Sequence, residues 1–200
     1  MNIPSGVTKA VLTTSVAGLL GIAGFEGYSY LAYQPLPGDK WTVGFGHTEG
    51  VRRGDKVTLE QALGLLKKDV AVAEKAVNTS VKIELSQHQY DALVSLTYNI
   101  GGTAFKNSTL LKCLNEQDLV CVNKQWMRWV YFKGEKVKGL ENRRARELAV
   151  FNGEQAFLDS DGRVCFGSAG CLSASEFEQH QGEKPDGADG SPDGSGAGPC

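Results

Sequence analysis

The residues whose types and order can do chemistry lie in Phe25–Gly50, FEGYSYLAYQPLPGDKWTVGFGHTEG. Glu26 closes an apolar run, and a carboxyl held against such a run has its anion disfavoured by partial burial, which suits it to donate a proton near neutral pH. Downstream, the period of two from Trp41 to His47 predicts a strand. Trp41, Val43, Phe45 and His47 would share one face, and Thr42, Gly44 and Gly46 the other. Glycine weakens a strand unless another body must approach the backbone closely, so a bare Thr-x-Gly-x-Gly face beside an acid implies a ligand cleft. The plainer alternative is a buried Glu that caps a hairpin.

Helices must hold this stretch in place. Ala10–Phe25 carries no charge and reads as a first helix packing through Val11, Leu12, Val16, Leu19, Leu20 and Ala23. Thr58-x-x-Gln61 is a capping box opening a helix to about Val77, and Ser86-x-x-Gln89 opens a second that stops at Gly101-Gly102. In that second helix Leu93, Val94, Leu96 and Ile100 face inward, with Tyr98 a core aromatic by default. Ser108–Leu114 and Asp118–Tyr131 read as an αα-hairpin that puts Cys113 and Cys121 on facing arms, with Trp126 and Trp129 on one helix face. Asn142–Glu147 starts a further helix whose arginines are either a solvated face or a surface for acidic peptides. The sum is an α+β, mainly α fold with a small N-terminal β-hairpin region and a helical C-terminal lobe, the two lobes joined by a long helix with the cleft between them.

The formal charge of −2 hides a division. Residues 154–200 hold nine acidic residues against Arg163 and Lys184, so this part carries −7 and residues 1–153 carry +5. A basic body favours a polyanionic target. Nucleic acid is set aside because the basic residues are scattered and no nucleic-acid-binding motif is present. The five cysteines, Cys113, Cys121, Cys165, Cys171 and Cys200, are too widely spaced for a zinc site. Two nearby pairs and a leftover fit disulfides of an oxidising compartment, and buried free thiols are the alternative. Asp159-Ser-Asp161-Gly162 lacks the rest of a calcium loop, so no metal and no cofactor are expected. Residues 153–181 read as a cysteine-containing extension, and 182–200, without large apolar side chains, as a disordered tail.

Over roughly residues 10–152 the chain resembles the phage-type lysozymes (endolysin muramidases). The resemblance lies in Glu26-Gly27, Ala32-Tyr33 and Trp41–Thr48. It continues more weakly through Leu96–Gly101, Ser108–Leu111 and Gly139-Leu140-x-Asn142-Arg143-Arg144-x-x-Glu147. It implies hydrolysis of the bond from N-acetylmuramic acid to N-acetylglucosamine in peptidoglycan, with Glu26 as general acid. It also implies an arginine near that acid, Arg143 or Arg146, an ion pair of His47 with Asp69, and a substrate groove near Gly44, Gly46, Tyr98 and Asn99. The family pattern puts eight residues between the Glu and an Asp or Cys, and five between that residue and the Thr. Here those counts fall on Pro35 and Leu36, because the loop is one residue longer. Its only carboxylate is Asp39, which is expected to take that place and hold the attacking water with Thr42. Two other readings stay open: a lytic transglycosylase that needs no Asp, and a wall-binding module without hydrolysis. Residues 1–25 also resemble a signal-anchor-release segment, implying synthesis in the host cytoplasm, transient inner-membrane association through residues 10–25, and action in the periplasm or cell wall. A monomer is expected.

Overall fold

The computed structural model describes residues 10–132, 134–154, 156–158 and 164–166. The tail at 182–200, the Asp159-Ser-Asp161-Gly162 sequence, Cys171 and Cys200 lie outside the described residues.

Helix α1 spans Val16–Glu26, capped by Ser15, whose side chain accepts the Gly18 N–H. The segment before it has no regular structure, so its backbone groups are satisfied from elsewhere. Thr14 donates through its N–H and Oγ1 to Glu74 Oε1 at 2.6 and 2.7 Å. Ser15 donates through the same two groups to Asp91 at 2.9 and 2.5 Å, and Asn78 Nδ2 donates to the Leu12 carbonyl. The expected packing face of this helix is only half right: Leu12, Leu19 and Ala23 pack on the core, and the other three do not. Val11 and Val16 are exposed and Leu20 partly so, while Ile22 and Phe25 are buried. A run that is apolar all round has no preferred face, and close approach selects one: a Cβ on Gly18 would lie 2.7 Å from Asp91 Cγ.

Strands β1 (Ser29–Tyr33) and β2 (Thr42–Gly44) pair antiparallel, Ser29 opposite Gly44 and Tyr33 opposite Thr42. Residues 55–57 add to the outer side of β1 through the Ala32 N–H to the Asp55 carbonyl and the Val57 N–H to the Tyr30 carbonyl. The strand expected over Trp41–His47 stops at Gly44. There the chain folds into a tight turn in which Val43 and His47 exchange both backbone hydrogen bonds, with Gly44 at φ +65° and Gly46 at φ +90°. Those left-handed values break the alternation, because only glycine adopts them without strain. Gly44 also packs closely, since a Cβ there would come within 3.0 Å of Ala62 Cβ.

Helix α2 (Leu59–Ser80) starts at the expected capping box, which forms in full. At 1.5 Å per residue its 22 residues span about 33 Å, from the β region to the helical body. Helix α3 (Gln87–Ile100) opens on the second capping box and ends at Gly101, φ +88°. Leu93, Val94 and Leu96 have no exposed surface, whereas Ile100 and Tyr98 are only partly buried. A short helix not anticipated, α4 (Gly102–Lys106), follows directly and buries Phe105.

Helices α5 (Thr109–Asn115) and α6 (Leu119–Trp126) form the αα-hairpin, bridged by a Cys113–Cys121 disulfide. Helix α6 stops five residues short of Tyr131, so Trp126 and Trp129 do not share a helix face. Trp126 is wholly buried against Phe151, ring centroids 5.1 Å apart, and Trp129 packs at the core's edge. The two-residue strands β3 (Tyr131–Phe132) and β4 (Glu135–Lys136) lead into α7 (Lys138–Phe151). A last hairpin, β5 (Ala156–Leu158) with β6 (Val164–Phe166), packs on α1 and, through β6, on α7. Cys165 is buried and disulfide-bonded.

Candidate active site

Glu26 is the last residue of α1, and Gly27, at φ +69°, turns the chain away immediately after it. The carboxyl is thereby delivered by a helix end rather than by a loop. Its side chain is 21% exposed, and Oε1 accepts from Arg143 Nη1 at 2.8 Å. Of the two candidate arginines, Arg143 is the partner. Its guanidinium also lies over the Phe25 ring, 4.8 Å from the centroid.

The arginines of α7 are neither a solvated face nor a wall-facing surface: Arg143, Arg144 and Arg146 are all buried. Glu147 makes this tolerable for two of them, because residues three and four apart on a helix are neighbours. Arg143 Nε donates to Glu147 Oε1 at 3.0 Å and Arg144 Nη2 to the same oxygen at 3.2 Å. Arg144 Nε lies 3.0 Å from Oε2 as an ion-pair contact but is not aligned to hydrogen-bond, so Nη2 carries the directional contact. Ser95 Oγ donates to Glu147 Oε1 at 2.7 Å, and Trp126 Nε1 points at Oε2 from 3.4 Å. Burial pulls the Arg143 pKa down, but the Glu26 and Glu147 carboxylates more than reverse this, and the net direction is up. Arg144 moves the other way, lowered chiefly by burial.

The other oxygen of Glu26 faces the glycine turn. A Cβ on Gly46 would sit 3.6 Å from Glu26 Oε2 and 4.0 Å from Tyr98 Oη, so the bare backbone keeps this side of the acid open. The Tyr98 hydroxyl donates to the Phe45 carbonyl at 3.4 Å. Burial raises its pKa, and the nearby Glu26 charge raises it further. Tyr33, on β1, is raised by burial and by Glu26 in the same way, so three elements converge on one carboxyl.

The remaining expected residues are spread around this centre. His47 Nδ1 lies 2.8 Å from Asp69 Oδ2, and Nε2 lies 2.9 Å from the Glu49 carbonyl, which ties the turn after β2 to α2. Both ring nitrogens thus face acceptors. Thr42 is buried and its Oγ1 donates to the Lys40 carbonyl at 3.1 Å. Asp39 is exposed in the Leu36–Asp39 turn, where its N–H donates to the Leu36 carbonyl and its own carbonyl accepts from Gln34. Asn99 is exposed and holds Arg144 Nη2 at 2.9 Å. Three participants carried no expected role: Glu147, Ser95 and Tyr33. The Arg143-x-x-x-Glu147 and Arg144-x-x-Glu147 spacings were the available signal for the first.

A cavity of about 230 Å³ lies between α1, α3 and α7, bordered by Gly18, Ile22, Phe25, Asp91 and Glu147. It backs the arginine cluster and does not reach Glu26, so it is not the place where a substrate meets the acid.

A carboxyl on a helix end, held by a buried arginine and open toward a glycine turn on a mainly helical α+β frame, defines a glycoside hydrolase of the lysozyme class. The chain belongs to the phage lysozyme family, whose profile matches residues 23–147. It is 43% identical over 141 residues to an endolysin of Acyrthosiphon pisum secondary endosymbiont phage 1, covering 68% of this chain and 96% of that one. It is 36% identical over 146 residues to a SAR-endolysin of Enterobacteria phage P21, covering 72% and 88%. Among solved structures it resembles the endolysin from Escherichia coli O157:H7 phage FAHEc1, at 36% identity and TM-score 0.67 over 73% of this chain and 97% of that one. The muramidase domain of SpmX from Asticaccaulis excentricus is similar at 37% identity and TM-score 0.65, covering 72% and 98%.

Proposed function

We propose that this endolysin cuts the β-1,4 bond from N-acetylmuramic acid to N-acetylglucosamine, with Glu26 as the general acid. The observation that carries the assignment is the division of the Glu26 carboxyl: Oε1 is fixed by Arg143, and Oε2 faces open space over Gly46. Glycoside hydrolysis needs a proton donor on the leaving oxygen and a group across the sugar ring to aim water. Asp39 is the carboxylate offered by the Pro35–Asp39 loop for the second role, with Thr42 at the start of β2 beside it in sequence. A separation of roughly 6.5–9.5 Å between the two carboxyls in the substrate complex would give inversion at the anomeric carbon.

The enzyme acts on the wall from the periplasmic side. Residues 10–25 tether it to the inner membrane before release, a reading supported by the SAR-endolysin relative. No helix among the described residues is long and apolar enough to cross a membrane, so a tethered form would require residues before Val16 to join α1.

The test is the rate of lysis of purified peptidoglycan by wild type, Glu26→Gln and Asp39→Asn, with analysis of the product ends. Loss of at least ~10²-fold in both variants, with reducing ends released, is expected. A near-normal Asp39→Asn would return Asp39 to the role of a turn residue. Anhydro ends would make the enzyme a transglycosylase, and an inactive wild type would make it a binding module.

A further inference from the structure

Glu147 is buried, makes no contact with Glu26, and yet meets the arginine that holds Glu26. We propose that Glu147 is a positioning residue that sets the working pH of the acid by dividing the Arg143 guanidinium, so that Glu26 receives one N–H and not the whole fork. The proposal rests on Glu26 being the general acid.

A guanidinium left to a single carboxylate normally gives it two parallel hydrogen bonds. Arg143 is not left to one. Its Nε is committed to Glu147 and its Nη2 is turned to the Ser95 carbonyl at 3.4 Å, which leaves Nη1 for Glu26. The charges divide in the same way. Arg143 and Arg144 bring two positive charges behind the acid, and Glu147 cancels one of them inside the protein, where solvent screens little. A general acid reacts from its protonated form, and uncancelled positive charge beside it favours the anion. Glu147 therefore protects the reactive form of a residue it does not touch.

The groups around the pair are few. Glu26 pairs with Arg143 of α7 and its charge reaches Tyr33 on β1 and Tyr98 on α3, with the charge of Asp69 on α2 also reaching Tyr98. Around Glu147 stand Arg143 and Arg144 on its own helix, Ser95 of α3 and Trp126 of α6. The cavity beside it also carries Asp91 and His88. Glu147 is the negative group here with direct contact to Arg143 other than Glu26 itself.

The experiment is the pH dependence of peptidoglycan lysis by wild type, Glu147→Gln, Glu147→Asp and Glu26→Gln, with thermal melting of each. The alkaline limb of the rate profile should move down by about one pH unit in Glu147→Gln, so that activity falls about tenfold above the limb and recovers below it. Glu147→Asp keeps the charge that the buried guanidiniums need but withdraws it by one methylene. It should shift the limb the same way by less, and it decides the matter if Glu147→Gln does not fold. A folded variant whose profile is lowered evenly at every pH would overturn the proposal and leave Glu147 a purely structural ion-pair partner. Activity remaining in Glu26→Gln would instead overturn the assignment of the acid, so the two failures are distinguishable.

Discussion

The same substitution should have opposite signs at two helical glycines, and the difference measures how firmly α1 is docked. Gly64 lies on the exposed side of α2 with open space where a Cβ would go. Gly64→Ala should therefore gain most of the helix-propensity difference, about 0.5–1 kcal/mol, and raise Tm by about 1–4 °C. Gly18 offers the same gain within α1, but its Cβ would lie 2.7 Å from Asp91 Cγ and 2.9 Å from Thr14 Cγ2. Carbon atoms in contact prefer about 3.5–4.0 Å, so roughly 1 Å must be found. Neither neighbour yields easily. Asp91 accepts from Ser15 twice and from Gln87 at 2.9 Å, and Thr14 is held by Glu74. Overpacking costs about 1–3 kcal/mol, and giving up one hydrogen bond to the Asp91 carboxylate about 1.5–3. Together they outweigh the propensity gain, for a net loss of about 0.5–2.5 kcal/mol and a fall in Tm of about 1–10 °C. Circular dichroism melting of both variants beside wild type is sufficient. Should Gly18→Ala melt as high as Gly64→Ala, the α1–α3 contact is soft and glycine does not select the docked face.

Two further outcomes follow from the buried tyrosines and from the disulfide. Tyr90 and Tyr98 have pKa values raised above the ordinary 10.0, first by burial and then by nearby carboxylates, Glu74 for Tyr90 and Glu26 for Tyr98. Folding favours their protonated forms, so this contribution is complete below about pH 10 and is lost as pH rises from there toward the folded-state values. Urea midpoints should be unaffected by these two groups up to about pH 10 and decline above it, with a shallower decline in Tyr98→Phe; an unchanged slope in that variant would contradict the assignment. The Cys113–Cys121 bridge closes a short loop, with a sequence separation of 8, so chain entropy limits its contribution to about 2.5 kcal/mol. Cys113→Ser with Cys121→Ser should lower stability by no more than about that amount and leave the wall-lysis rate at 25 °C intact. A larger loss would mean that the bridge carries packing as well as closure.

The parts of the fold that were legible in the sequence are those set by local chemistry. Thr58 and Ser86 each face a Gln three residues on, and both capping boxes form, because every atom they need lies within one helical turn. The place of Glu26 at the end of α1 was legible because it closes an uncharged apolar run just before Gly27. What failed depended on partners distant in sequence or on backbone sign. Period two from Trp41 to His47 says nothing of φ, and the two glycines that look like a bare strand face are the pivots of a turn. The arginines of α7 look like a surface run because charge pattern does not report depth; Ser95, 52 positions before Glu147, is invisible to local spacing. The face of α1 is chosen by Asp91 on another helix, and the apolar composition of the run carries no information about it.

The attachment of residues 12–15 separates two quantities usually treated as one. That segment has no hydrogen bonds of its own to fall back on, and it is held by side chains of α2 and α3. The helix it leads into carries the acid at its far end. Opening of this one unit removes Glu26 from Arg143 while leaving the α2–α3–α7 packing in place, and such local openings are easier than global unfolding. If Glu26 is the general acid, activity is expected to be lost where this single eleven-residue helix undocks, below the melting temperature of the whole chain. Amide exchange along α1 would report that temperature sooner than any melting curve of the whole chain.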